Sequence, residues 1–248
     1  MSRAWLAIVL FSGTAAAAPS YTAAGIVNAS NYSPGPFAPN SVLSIFGSGL
    51  SRSARSLTAE DIRGNMLPTE LNFTQVLVDN TFVPLLYVSD TQVNFLIPAK
   101  QSLGEARIQV VSQSQRGPVV VIQVVDAAPA LFLLADGYAI ATHADNALIT
   151  SESPARGGEI IVIYLTGLGK TIKNPDTGEI PPYVSEIVAR ESLQVSTGGK
   201  VEYAGLTPGS AGLYQINLTL PATIGPDPEL RVTVGSFTSS AGVKLAAR

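Results

Sequence analysis

Leu213-Tyr214-Gln215-Ile216-Asn217-Leu218-Thr219-Leu220-Pro221 decides how this chain folds, because Thr91-Gln92-Val93-Asn94-Phe95-Leu96-Ile97-Pro98 carries the same pattern earlier. Gln92, Asn94 and Pro98 return as Gln215, Asn217 and Pro221, each 123 residues further on. In the later copy Ile216, Leu218 and Leu220 alternate with Gln215, Asn217 and Thr219. That period of two belongs to a strand with one buried face. Proline closes each copy, since it has no N–H to give a sheet ladder. A spacing this long denotes two copies of one domain, because solenoid repeats recur at about 20–50 residues.

Short strands extend in both directions from these two. Gly25 to Pro39 reads as an irregular opening segment, rich in Asn, Ser, Gly and Pro. Ser41 to Phe46 is the first clear strand and stops at Gly47-Ser48-Gly49. Leu57 to Met66 holds a helical turn or a loop. Gln75 to Val78, Val83 to Val88, the Gln92 strand, Ala106 to Val111 and Val119 to Val125 complete a first unit. Tyr138 to Thr142 and Ala147 to Thr150 form a junction hairpin that turns at Asp145-Asn146. Glu159 to Leu165 then restarts the pattern and ends at Gly167-Leu168-Gly169. Leu193 to Val195, Lys200 to Tyr203, the Gln215 strand, Leu230 to Val234 and a last edge strand at Val243 to Leu245 follow. Strands at this spacing, with turn residues between them, predict a sandwich.

Of the 248 residues 46% are hydrophobic, enough for two ordinary cores. Only 13% are charged and the net charge is −3, with no clustered basic face for nucleic acid. No cysteine is present, which excludes disulfides, thiolate metal sites and cysteine nucleophiles. Arg3, the apolar run Ala4 to Phe11 and the small residues Ala15 to Ala18 form an export-signal pattern over residues 1–18. The run is too short for a bilayer, which takes about 20 residues.

Chemistry-bearing residues are few. Gly167-Leu168-Gly169-Lys170-Thr171 resembles the end of a phosphate loop, but Tyr164 stands where the first glycine belongs and Asn174-Pro175 opposes the helix that must follow. His143 is the only histidine, so a Ser-His-Asp hydrolase would need it, oriented by Asp145 or Asp126. No Gly-x-Ser-x-Gly elbow presents a serine to it. Asp79, Asp90, Asp136, Asp145, Asp176 and Glu179 sit at turns without calcium-loop spacing and read as solvated turn residues. Tyr21, Tyr32, Tyr138, Tyr183 and Tyr203 are candidate sugar-stacking residues, while Tyr87 and Tyr214 read as packing residues beside the repeated strands. Gln92, Asn94, Gln215 and Asn217 are either a twin ligand site or, as recurrence with the fold favours, amides that satisfy backbone groups at a strand corner. Asn217→Ala is then expected to cost about 1–3 kcal/mol.

Further motifs run in order along the chain: Val27 to Tyr32, Leu67-Pro68-Thr69, Pro84 to Ser89, Ala128 to Phe132, Ser153-Pro154-Ala155, Tyr164 to Gly169, Ala204 to Gly209 and Gly212 to Asn217. With them the chain resembles the Solibacter-type uncharacterised C-terminal domain family of secreted bacterial proteins. The Gly-Gly that often precedes the Val76 strand in that family is Phe73-Thr74 here. The resemblance implies secretion, tandem immunoglobulin-like units of the IPT/TIG type and no assigned catalytic residue. The expected architecture is therefore all-β: a signal peptide at 1–18, then immunoglobulin-like β-sandwich domains at 19–126 and 127–248, the second including the junction hairpin. The expected function is a secreted, non-catalytic interaction or structural module with a protein, cell-envelope or polysaccharide partner. No cofactor, metal or transmembrane segment is expected. A carbohydrate-binding module is the alternative, and a hydrolase using His143 a second one.

Overall fold

The computed structural model describes residues 17–248, so most of the expected signal segment lies outside the described residues. The chain is all-β. The first half carries β1 (Ser20–Asn28), β2 (Val42–Ser48), β3 (Arg55–Ser56), β4 (Thr74–Val78), β5 (Thr81–Val83), β6 (Leu85–Val88), β7 (Gln92–Leu96), β8 (Gly104–Ser112), β9 (Gln115–Arg116) and β10 (Val120–Val124). The second carries β11 (Ala130–Leu131), β12 (Ala141–His143), β13 (Ile160–Thr166), β14 (Leu193–Val195), β15 (Lys200–Leu206), β16 (Tyr214–Thr219), β17 (Val232–Val234) and β18 (Phe237–Thr238).

In the first half one antiparallel sheet runs β1-β2-β7-β6-β3 and the other β10-β8-β4-β5, with β9 beside β8. In the second, β11-β13-β16-β15 with β12 beside β13 faces β14-β17-β18. Alternation decides what each strand buries. Leu43, Ile45, Val93 and Phe95 point inward from β2 and β7 to meet Val76, Val78, Ile108 and Val110. Ile161, Ile163, Ile216 and Leu218 meet Val232 and Val234 in the same manner. Each such side chain contributes about 1.5–3 kcal/mol when fully buried. The buried apolar residues form two clusters, one spanning Tyr21 to Val124 and the other Ala127 to Ala247.

Both repeated strands lie in the interior of their sheets, between β2 and β6 and between β13 and β15. A seam joins the two halves. Gly212 lies where an added Cβ would meet Leu96 Cδ1 at 2.6 Å and Val42 Cγ2 at 2.7 Å. Its φ of +74° suits glycine. The loop predicted between Lys173 and Pro182 reaches back across this seam. Leu67 N donates to Gly178 O at 2.8 Å and Ile180 N to Asn65 O at 2.7 Å. Lys100 and Asp176 add an ion pair at 2.7 Å.

Several local expectations change. A strand unread in the sequence, β1, starts at Ser20 and takes in the first residues of the opening segment, Gly25 to Asn28; it loses register between Tyr21 and Ile26. Its bulge hides the alternation that would have marked it. Leu57 to Met66 holds one 3-10 turn, Ala59–Asp61. Val243 to Leu245 forms no strand, only bridges from Lys244 to Tyr138 and Glu229. The junction hairpin turns through Asn146 at φ +69°, and its first arm joins β13 as β12.

Candidate functional site

Two turns meet where β4 begins and β8 ends. Asn72 and Phe73 link Leu71 to Thr74, whose backbones exchange hydrogen bonds of 3.1 and 2.8 Å. Both central residues have positive φ, +48° and +58°. A two-residue turn of that kind favours Asn-Gly. Asn suits its place, and its Nδ2 is held by Ser51 Oγ, Ser53 O and Ser53 Oγ at 3.0 to 3.1 Å. Phe73 stands where glycine would be unstrained, and its ring is 72% exposed. Beside it Gln113 and Ser114, at φ +48° and +65°, turn β8 into β9, and Gln113 N donates to Phe73 O at 2.9 Å. The two turns and Arg52, Glu70 and Gln75 line a cleft of about 590 Å³. It offers one open aromatic face ringed by amide, hydroxyl and charged groups. A pyranose has the complementary surface, apolar C–H faces edged by hydroxyls.

Tyr32 repeats the unusual combination. It is 61% exposed at φ +57°, and its ring lies 5.8 Å from that of Phe46, tilted by 57°. A left-handed backbone at a bulky residue costs of order 1–3 kcal/mol and persists where the surroundings hold it, commonly at functional positions.

The other candidate tyrosines are engaged. Tyr21 is buried, donating to Pro118 O at 2.6 Å and accepting from Val110 N at 2.8 Å, so it packs the core and offers no ligand face. Tyr138 donates to Asp227 at 3.0 Å, and Lys173 covers the Tyr183 ring at 3.5 Å. Tyr203 donates to Leu206 O at 2.8 Å, and Tyr214 is buried at the seam.

The repeated amides sit on the outer faces of their sheets, half-buried. Gln92 Nε2 donates to Asn94 Oδ1 at 2.9 Å, and Gln215 Nε2 to Asn217 Oδ1 at 2.9 Å. The amides thus bond to each other, where the sequence suggested backbone groups at a corner. Asn94 Oδ1 also accepts from Ser44 Oγ at 2.8 Å, whereas Asn217 faces Val162 at the equivalent place. Pro98 and Pro221 each lie one residue beyond the strand ends, after Ile97 and Leu220; Gly158 N donates to Pro221 O at 2.9 Å.

His143 is drawn into a pocket of about 350 Å³ lined by Glu152, Ser153, Pro154, Arg156, Glu159 and Arg248. Its Nδ1 bonds to Glu159, not to Asp145 or Asp126; Asp145 instead caps its own turn through Ala147 N at 2.9 Å. Nε2 lies 3.2 Å from Ser153 Oγ and 3.1 Å from Ser153 O. This resembles a Ser-His-Glu triad, but the nearby donors are spent. Ser153 N donates to Thr150 Oγ1, Ala155 N to Ala246 O and Arg156 N to Glu159 Oε2, while Pro154 has no N–H. Those backbone groups therefore supply no oxyanion hole. The hydrogen bond to Glu159, helped by the Ser153 carbonyl, raises the His143 pKa. When protonated, the ring donates to both, tying the hairpin to the residue that precedes β13.

The Gly167-Leu168-Gly169 end of β13 is a packing device. Gly167 and Gly169 take φ of +78° and +85° against the backbone carbonyls of Ala128 and Asp126, and no helix follows.

Residues 28–122 match the IPT/TIG domain family. The match supports an immunoglobulin-like domain of that type, and it spans both Tyr32 and Phe73. A comparison with curated proteins finds no match. Among solved structures the chain is similar to SGBP-B of the Bacteroides ovatus mixed-linkage glucan utilization locus, in complex with a mixed-linkage heptasaccharide. Identity is 13% and the TM-score 0.33, over 85% of this chain and 43% of that one. It is also similar to the surface glycan-binding protein PbSGBP-B of Prevotella bryantii, at 15% identity and TM-score 0.27, over 95% and 43%. Domains 5-6 of the S-layer protein SbsC follow at 13% identity and TM-score 0.26, over 92% and 99%. The chain spans less than half the length of the two glycan-binding structures. No helix among the described residues is long and apolar enough to cross a membrane.

Proposed function

We propose that the chain is a secreted, non-catalytic carbohydrate-binding module of the Solibacter-type family, with two immunoglobulin-like domains. Export rests on the N-terminal pattern of Arg3 and Ala4 to Phe11. The observation that carries the binding reading is Phe73. An aromatic ring, 72% exposed, is held in a left-handed turn that glycine would occupy without strain, over a cleft of amides, hydroxyls and charges. Ring stacking on Phe73 supplies affinity, and Gln75, Gln113, Arg52 and Glu70 supply hydrogen bonds to hydroxyls.

The test is retention of the purified protein on insoluble polysaccharides, and titration with soluble glycans, for the native chain and Phe73→Gly. The native chain is expected to bind saturably and the variant at least about tenfold more weakly, a change of about 1.4 kcal/mol. Equal binding by both proteins would remove the cleft from the site. A protein partner is the second reading. It is favoured by Ile172, Val184 and Val188, exposed at 76%, 67% and 68% beside β15.

A further inference from the structure

We infer that the outer face of the β1-β2-β7-β6-β3 sheet is a second contact surface for the same class of ligand, an uncharged extended glycan chain. The inference rests on the carbohydrate reading above but on different residues.

Register places the surface. Phe46 on β2 stands opposite Gln92 on β7, and Tyr87 on β6 opposite Asn94. Tyr32 extends the row beyond Phe46 by ring contact. Phe46 is 38% exposed although it lies on a strand, with Gln92, Asn94 and Tyr87 half-buried beside it. The row crosses β2, β7 and β6, two strand spacings or about 10 Å, which suits a chain more than a single ring.

The amide chemistry is matched to hydroxyls. The Gln92–Asn94 bond and the Ser44 hydroxyl use Gln92 Nε2 and Asn94 Oδ1. Gln92 Oε1, an acceptor, and Asn94 Nδ2, a donor, have no partner among the described residues and are not sealed from solvent. The pair sets an acceptor and a donor side by side between aromatic rings, groups that suit a run of sugar hydroxyls. No charged side chain belongs to the row, so an anionic polymer gains nothing there.

The second half supplies an internal control. β13, β16 and β15 set Tyr164 opposite Gln215 and Tyr203 opposite Asn217, and a register shift precedes the second tyrosine as it does in the first half. That copy is closed on one side. Tyr203 accepts from Ser185 N at 3.2 Å and donates to Leu206 O at 2.8 Å, and Glu186 bridges to Gly205 on the same edge. The two rows share the amide pair and the second tyrosine, but the first has the exposed ring, Phe46, and the second has its tyrosine hydroxyl engaged, so the first is assigned the ligand.

The experiment compares native protein, Phe46→Ser, Tyr32→Asn, Tyr164→Ser and Phe73→Gly by calorimetric titration with a long neutral glucan and a short oligosaccharide of it. Tyr32→Asn keeps a residue that tolerates positive φ, so it serves if Phe46→Ser fails to fold. Phe46→Ser and Tyr32→Asn are expected to weaken binding of the long chain about tenfold while Tyr164→Ser leaves it unchanged. Native-like affinity in Tyr32→Asn and Phe46→Ser, with loss in Phe73→Gly, overturns the sheet-face inference and leaves the cleft reading standing. Loss in the sheet-face variants with none in Phe73→Gly supports the inference and removes the cleft. Loss in Tyr164→Ser equal to that in Phe46→Ser overturns the assignment to the open copy. No heat with either glycan in the native protein overturns both readings.

Discussion

Asn40 and Tyr214, 174 residues apart, share a hydrogen bond across the seam between the two halves: Asn40 Nδ2 donates to Tyr214 Oη at 3.2 Å. The phenol donates onward to Gly169 O at 2.6 Å. Asn40 is 3% exposed and Tyr214 1%. Tyr214→Phe keeps the ring and leaves the Asn40 amide and the Gly169 carbonyl short of a partner. The expected cost is about 1–3 kcal/mol, measured by denaturant unfolding at neutral pH. Burial raises the pKa of this phenol well above the ordinary tyrosine value. Spectroscopic titration should accordingly show one tyrosine that stays protonated until the fold is lost.

Gly212→Ala tests the same seam by volume. The new methyl would lie 2.6 Å from Leu96 and 2.7 Å from Val42 at φ +74°. Overpacking of this kind costs about 1–3 kcal/mol. Adding Val42→Ala should recover part of that loss, so the double variant should melt above Gly212→Ala alone. If the second substitution only adds damage, the clash is not the cause.

Asn94→Ala and Asn217→Ala should differ, though the residues are equivalent by position. Losing Asn94 strands the hydroxyl of Ser44, which is 1% exposed, at about 1–3 kcal/mol. Losing Asn217 frees only the half-exposed Gln215 amide, which water satisfies, at less than about 0.5 kcal/mol. The sequence expectation of 1–3 kcal/mol for Asn217 thus moves to its partner copy, because Ser44 has Val162 as its counterpart. Paired chemical-denaturation curves decide it.

Phe73→Gly should raise the melting temperature while removing glycan retention. Relief of a left-handed bulky residue is of order 1–3 kcal/mol, and the added freedom of glycine in the unfolded chain takes back about 0.4–1 kcal/mol. A fall in melting temperature would show that the Phe73 ring holds the fold.

His143 gives the stability a pH dependence of known sign. Its folded pKa is raised, through the hydrogen bond to Glu159 first and the Ser153 carbonyl after it. The stabilisation is therefore complete below the unfolded imidazole value of about 6.5 and is lost as pH rises through the raised folded value. His143→Gln should flatten the melting temperature over that window and leave it unaltered well above. Glu152, Arg156, Glu159 and Arg248 are the charged side chains that share its pocket.

What the sequence disclosed follows from how far each signal reaches. Strands β4, β7, β13 and β16 were legible because their buried faces alternate within a few residues. β1 was not, since its bulge between Tyr21 and Ile26 breaks the period. The amide pairs were visible as a repeat, yet their bonding to each other depends on which face of the strand is outward. Phe73 was marked only as a departure from Gly-Gly; its positive φ comes from the two-residue turn that Leu71 and Thr74 close. The grouping of His143 with Ser153 and Glu159 required β12 to pair with β13, a contact between segments that local periodicity does not record.

The loop that joins Gly178 to Leu67 and Ile180 to Asn65 orders events during synthesis. All the strands of the first half have been made once Val124 is added. The partners for Asn65 and Leu67 arrive more than fifty residues later, and the Gly212 backbone that covers Leu96 and Val42 later again. Between those moments the nascent first half carries an unpaired strip of backbone beside uncovered Leu96 and Val42, the kind of surface that chaperones hold. The seam is thus completed long after the strands it covers and, in a growing chain, is the first part to need protection.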